Sequence, residues 1–164
     1  MEVRATRTIA APPERIFAYL EEVDRHWELL GSRLEPLRAY DGRRSHARLH
    51  GPLGIRRTLW IELSSLDAPH ELIGRVEAGR GRTVGTVRWV VRPTAVAPAA
   101  TPARPGPSAR PVAAASASTV ELTARTEVAG ALDRLLLLLG GARWLRGSLE
   151  LVLARLDDRL GERG

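Results

Sequence analysis

The stretch Ala142-Arg-Trp-Leu-Arg-Gly-Ser-Leu-Glu-Leu-Val-Leu-Ala-Arg-Leu156 carries large apolar residues at Leu145, Leu149, Val152, Leu153 and Leu156, and Leu160 extends the series. These spacings of three and four residues draw one apolar stripe along an α-helix. A helix with a single apolar stripe has to cover it with another layer. Upstream, Leu132, Leu135, Leu136 and Leu139 follow the same rhythm, and Gly140-Gly141 interrupts it. Two adjacent glycines predict a kink or a split at that point. Arg155 and Arg159 suit the C-terminal end of the helix electrostatically.

The layer that covers this helix is legible just before it. Residues 119–128 set Val120, Leu122, Ala124 and Thr126 against Glu121, Thr123, Arg125 and Glu127. That alternation predicts a strand with one wet face. Residues 83–92 place Val87, Trp89 and Val91 on one face and Arg88 and Arg92 on the other. Residues 71–78 place Leu72, Gly74, Val76 and Ala78 together, opposite Ile73, Arg75 and Glu77. Residues 56–66 alternate Leu59, Ile61 and Leu63 with Trp60, Glu62 and Ser64, and residues 34–40 and 44–50 are shorter candidates. Asp67-Ala-Pro-His70 reads as a turn and Gly79-Arg-Gly-Arg82 as a hairpin connection.

At the other end of the chain, residues 3–9 read as a strand, and Pro12-Pro13-Glu14 opens a helix. Ile16, Phe17, Leu20, Val23 and Trp27 continue a helical stripe that Gly31 ends. Residues 93–118 are different in kind: six prolines, ten alanines, no aromatic residue and no acid. Such a segment cannot bury enough apolar surface to offset its ordering. The expectation is a disordered Pro/Ala-rich insertion between two paired strands, within a single domain spanning residues 1–164.

The order of elements brings a family into view. Thr8-Ile-Ala-Ala-Pro-Pro-Glu-Arg-Ile-Phe-Ala-Tyr-Leu20 resembles the opening of START-like (SRPBCC, polyketide cyclase/dehydrase-type, Bet v 1-like) proteins, where a strand runs into a proline-started helix. Val23-Asp-Arg-His-Trp27 is similar to the family's second helix, and Ala142–Leu156 to its closing helix. The resemblance spans the chain apart from residues 93–118. It implies an α+β helix-grip fold: two short helices after the first strand, and a curved antiparallel sheet wrapped around a long C-terminal helix. It also implies a cavity between sheet and helix that takes lipids, polyketides or other apolar molecules.

Composition removes much other chemistry. Without cysteine there are no disulfides, thiolate metal sites or cysteine nucleophiles. All 25 basic residues are arginine, so a Walker-type lysine and a Schiff-base lysine are both absent. Asparagine is absent too, a pattern that fits GC-rich coding and a bacterial source. The net charge is +6; Arg104 and Arg110 lie in the insertion, and 6 − 2 leaves +4 elsewhere. The remaining arginines are interspersed with acids, and the pairs Arg43-Arg44 and Arg56-Arg57 lack interleaved aromatics, so nucleic acid is not an expected partner. The longest leucine run, Leu135–Leu139, is far below the ~18 apolar residues of a membrane span. No apolar signal core follows Met1, and a cytoplasmic location is the default expectation.

Few residues offer themselves for catalysis. His46 and His50 would share a strand face, yet four residues of strand span about 13 Å, too far for one metal ion. Gly79, Gly81 and Gly85 precede a strand rather than a helix, which argues against a dinucleotide loop. His26 near Glu22, Asp24 and Glu28 could pair as acid and base, although acids on a surface helix are commonplace. Trp27, Trp60, Trp89 and Trp144 read first as core. The inward face is nearly all apolar, so the expected pocket is Trp27, Gly74, Val76, Val87, Trp89, Leu122, Leu149 and Leu153, with no catalytic residue, metal or cofactor. Binding of a small hydrophobic molecule by a monomer or homodimer is the leading reading. A cyclase or dehydratase would need His26, Glu62 or His46 to point inward. A closed-core accessory protein is the third reading.

Overall fold

The computed structural model describes residues 1–51, 54–79, 82–94, 117–130, 134–135 and 140–161. Strand β1 (Glu2–Ile9) leads into helices α1 (Pro13–Leu20) and α2 (Val23–Leu30) and a 3-10 turn at Gly31–Arg33. Strands β2 (Leu34–Ala39), β3 (Arg44–His50), β4 (Arg56–Asp67), β5 (Glu71–Ala78), β6 (Thr83–Thr94) and β7 (Ala117–Val128) follow, and helix α3 (Ala142–Gly161) closes the chain. All seven strands form one sheet in the order β1-β7-β6-β5-β4-β3-β2, antiparallel throughout. Helix α3 packs against β1, β7 and α2. This is the α+β helix-grip architecture expected from the order of elements.

Local chemistry explains the bends. Pro13 stands at the first helical position of α1, where a missing N–H costs nothing, and Glu14 favours the positive end of the helix dipole. Register shifts interrupt β2 between Pro36 and Arg38, β4 between Leu63 and Ser65, and β7 between Thr126 and Val128, opposite Val84 and Gly85 of β6. Bulges bend the strand that carries them and increase twist, so three of them curve the sheet around the helix. Gly85 is required opposite the β7 bulge: a Cβ there would lie 2.7 Å from the Arg125 carbonyl oxygen. Edge strand β2 carries Pro36, which suits an edge.

The fully buried side chains include Ile9, Ile16, Leu20, Val23, Leu29, Leu72, Val91, Val120, Leu122, Leu153 and Leu156. They come from α1, α2, α3 and the sheet, so one core joins the ends of the chain. Two arginines tie α2 to α3: Arg155 donates to the Leu29 carbonyl at 2.9 Å, and Arg159 lies 4.0 Å from Glu28. Arg155 thus caps the C-terminus of α2 rather than serving its own helix. Gly31, with φ +56°, lets the guanidinium in; a Cβ there would meet it at 2.2–2.9 Å.

Several expectations need correction. Pro93, Thr94, Ala117 and Ser118 belong to paired strands, with Pro93 opposite Ser118 and Thr94 opposite Ala117. Ser118 is fully buried and donates to the Ala11 carbonyl at 2.7 Å, a polar use of a residue that composition had assigned to the insertion. The rest of that segment, residues 95–116, lies outside the described residues, as do Leu132, Leu136 and Leu139. Leu135 is 51% exposed, so the apolar stripe does not run unbroken to it. Gly140, with φ +108°, precedes the start of α3 at Ala142. Trp60 is not core: it is 44% exposed on the outer face, stacked between His46 and Tyr40 at centroid distances of 4.2 and 5.7 Å.

Candidate functional site: a cavity between sheet and helix

Strand register lays the inward residues out in rows across the sheet. One row runs Leu66, Leu72, Trp89, Leu122 and Ala5. The next runs Leu63, Gly74, Val87, Ala124 and Val3. The third runs Ile61, Val76, Gly85 and Thr126. Side-chain volume drops after the first row, and α3, packed on β1 and β7, presents Trp144, Leu145, Ser148, Leu149 and Val152 to the smaller rows. The difference is empty space. A cavity of about 330 Å³ opens there, lined from the sheet by Ile61, Val76, Gly85, Val87, Trp89, Leu122, Ala124 and Thr126, from α2 by His26, Trp27 and Leu30, and from α3 by Trp144, Leu145, Ser148, Leu149 and Val152. That volume is at the small end of the ~300–1,000 Å³ typical of ligand pockets.

Burial changes in step. Trp89, Leu122 and Val152 are 3%, 1% and 4% exposed, whereas Val76, Val87, Ala124, Trp144 and Leu145 are only half-buried. The cavity therefore has a closed end and a more exposed end.

Of the residues expected to form a pocket, the structure places Trp27, Val76, Val87, Trp89, Leu122 and Leu149 in this wall. Gly74 and Leu153 are not among its lining residues. A Cβ at Gly74 would touch Leu63 and Ile61 at 3.5 and 3.6 Å, so neighbours on β4 already cover that gap. Leu153 is 1% exposed within the packed core. Trp144, Leu145, Ser148, Val152, Ala124 and His26 were missed as wall residues. For His26 a signal existed: Val23, His26, Trp27 and Leu30 follow the i, i+3, i+4, i+7 spacing of a single helix face.

The polar side chains in the wall are Arg57, Thr83, Thr86, Arg125 and Thr126 together with Trp27, His26, Ser148 and Trp89, and Thr86 donates to Glu127 at 2.6 Å. The Trp27 indole N–H donates to Ser45 Oγ at 2.6 Å, and that hydroxyl donates to the Arg38 carbonyl at 3.2 Å. Ser148 Oγ accepts from Arg33 at 2.6 Å and donates to the Trp144 carbonyl at 2.9 Å. The Arg33 guanidinium also lies 5.7 Å from the centre of the Trp144 ring. His26 Nε2 sits 2.6 Å from the Leu20 carbonyl, which can only accept, so Nε2 carries the proton and Nδ1 the lone pair. Burial lowers the pKa of His26 to about 4, against the opposing pull of that carbonyl and of Asp24. The ring is therefore neutral at pH 7.

Trp89 differs from Trp27. Its Nε1 is buried and has no acceptor among the described residues. Leaving a donor so costs about 1–3 kcal/mol. The His26 and Trp89 rings lie 5.5 Å apart, tilted by 57°.

The other candidate acid–base residues are elsewhere. Glu62 is exposed and paired with Arg44 at 3.1 Å, and His46 stacks on Trp60 on the outer face. His50 lies 3.6 Å from Glu35 at the surface. Among the described residues no three histidine, aspartate or glutamate side chains are grouped to hold a metal ion. No helix among them is long and apolar enough to cross a membrane.

No protein-family model and no curated protein sequence matches this chain. Solved structures do match it over nearly their full length. A START superfamily protein from Mycobacterium smegmatis is 15% identical with a TM-score of 0.61, covering 99% of both chains. A conserved protein from Geobacillus kaustophilus is 12% identical with a TM-score of 0.65, covering 99% of this chain and 96% of its own. A Thermus thermophilus protein is 20% identical with a TM-score of 0.61, covering 100% of this chain and 99% of its own. Identities this low speak to the fold, and together with the sheet order and the enclosed helix they show that this chain has the START-like helix-grip fold.

Proposed function

We propose that this protein binds or carries a small hydrophobic molecule, lipid- or polyketide-like, in the cavity between the sheet and α3, and that it does so without catalysis. The observation that carries the reading is the cavity: about 330 Å³ of space walled largely by Val, Leu, Ile, Ala and Trp side chains, beside a core whose leucines are fully buried. Burial of apolar surface would supply most of the affinity, at about 25 cal/mol per Å². Catalysis finds less support. General acid–base work needs two groups of matched pKa aimed at one substrate atom. Here, among the described residues, the ionisable side chains in the wall are His26, Arg57 and Arg125, with no carboxylate among them, while Glu62 and His46 lie on the outer face.

The test is to fill the space. Ala124 is half-buried, lines the cavity and sits in the middle of β7. In Ala124→Phe the ring should occupy the cavity, abolish binding of a hydrophobic fluorescent dye and leave the circular dichroism spectrum unchanged. Absence of dye binding by the folded wild type, or equal binding by the filled variant, would overturn the reading.

A further inference from the structure

The two faces of the sheet treat their arginines differently. On the outer face arginines are matched with acids: Arg44 lies 3.1 Å from Glu62, Arg75 3.1 Å from Glu77 and Arg4 3.5 Å from Glu121. On the helix side no aspartate or glutamate among the described residues lines the cavity, whereas Arg57 does. Arg57 shares its parity on β4 with the inward residues Leu59 and Ile61, and it is half-buried. Strand pairing sets Leu34, Leu49 and Arg57 in one row across β2, β3 and β4, and both leucines line the cavity too. Arg33, also half-buried, directly precedes Leu34. Its guanidinium is held on the helix side by two neutral groups of residues in the wall, Ser148 Oγ at 2.6 Å and the Trp144 ring at 5.7 Å. Leu34 and Arg57 stand two strand spacings apart, about 10 Å. Both arginines therefore belong to the more exposed end of the cavity. Towards the closed end the wall is Trp89, Leu122 and Val152, with His26 neutral at pH 7.

We infer that the ligand is an anionic amphiphile, an apolar tail ending in a carboxylate, with the tail among Trp89, Leu122 and Val152 and the carboxylate between Arg33 and Arg57. The inference rests on the ligand-binding reading above and names the class of ligand. A cleft lined by charge of one sign between low-dielectric walls focuses its field and draws in the opposite charge. A guanidinium offers a planar fork of N–H donors that matches the two oxygens of a carboxylate. Arg33 gives one of its five N–H groups to Ser148, which fixes the position of the fork and leaves the other donors for a ligand. A neutral alcohol on the same tail gains the apolar contacts without the charge-assisted bonds. A cationic head meets two like charges.

The experiment uses the full chain at neutral pH and three probes of matched tail length, each below its micelle concentration: decanoate, decanol and decyltrimethylammonium. Affinities are read by displacement of an uncharged hydrophobic dye. Decanoate should bind about tenfold or more tighter than decanol, the worth of a hydrogen bond to a charged group, and the cation should be weakest. Added salt should narrow the gap between decanoate and decanol. Arg33→Gln combined with Arg57→Gln should bring decanoate and decanol to similar affinity. Arg43→Gln combined with Arg92→Gln takes the same net charge from exposed positions and should leave the preference in place. Should the first pair fail to fold, the ranking in the wild type and its salt dependence still decide. Equal affinities for decanoate and decanol, a preference for the cation, a preference for decanoate that survives loss of Arg33 and Arg57, or an equal loss of it in both double variants would overturn the inference while leaving the binding reading intact. If neither the dye nor any probe binds the folded protein, the binding reading and this inference both fall.

Discussion

The two ends of the sheet–helix sandwich are built from similar residues and reach opposite outcomes. At the closed end, the row of Leu72, Trp89 and Leu122 shares one core with Leu153 and Leu156, and all five are at most 3% exposed. Two rows further along, Val76, Gly85 and Thr126 lie beneath Leu145 and Trp144, and all are half-buried around open space. Alternation is equally regular in both rows. What separates them is the volume summed across neighbouring strands and the extra cover that α1 and α2 bring to the closed end. A core and a cavity are thus two settings of one pattern, and periodicity alone does not distinguish them.

That contrast is most easily broken at the closed end. Leu153→Ala should destabilise the protein by about 2–5 kcal/mol, the range for truncating a well-packed leucine. Chemical denaturation would measure it, and a loss below about 0.5 kcal/mol, typical of a surface site, would show that this end is not packed.

Burial of His26 makes a related demand through pH. Its pKa is about 4 in the folded protein and 6.5 as the unperturbed value. Between those values the unfolded chain binds more protons, so stability rises with pH across that window. It is fully present above about 6.5 and is lost as pH falls towards 4, by on the order of 3 kcal/mol. His26→Gln keeps a donor for the Leu20 carbonyl and removes the titration. Its denaturation midpoint should therefore fall less between pH 7 and pH 4.5 than that of the wild type. Parallel pH profiles would show that the imidazole is not shielded from solvent.

A smaller effect is expected where the chain leaves the closed end. Thr94 and Ala117 are direct partners across β6 and β7, so a turn of about four residues can join them. Closing a flexible loop costs about 0.6 kcal/mol per doubling of length. Replacing residues 95–116 with such a turn should then raise stability by about 1.5 kcal/mol and leave dye binding unchanged. Loss of cooperative unfolding would show that the replaced segment packs on the sheet.

The smallest change belongs to the open end. Leu145 is half-buried beside existing space, so Leu145→Ala removes few contacts and should cost about 1 kcal/mol or less. A cost equal to that of Leu153→Ala would erase the distinction between the two ends.

Much of this architecture can be read from local pattern. Period-two alternation identifies the inward residues of β5, β6 and β7, and the period of 3.6 identifies the buried face of α3 at Leu149, Val152, Leu153, Leu156 and Leu160. The same alternation sets Trp60 opposite Leu59, Ile61 and Leu63, and so already assigns it to the outer face. The residues that read wrongly or were missed depend on neighbours far away in the chain. Gly74 faces inward as its strand predicts, yet Ile61 and Leu63 reach over it, so it opens no space.

Backbone periodicity is a property of adjacent residues, which is why the order of elements, the inward faces and the apolar character of the wall follow from the residues in line. Volume and hydrogen-bond partnership are sums over residues that only folding brings together. Trp27 finds Ser45 in β3, while Trp89, with the same side chain and a similar depth, finds no acceptor among the described residues. Arg155 finds the end of α2 across 126 positions of sequence. The cavity exists because the small residues Gly85, Ala124 and Thr126 come from two strands that register aligns beneath the same stretch of helix, and that alignment is a fact of tertiary structure.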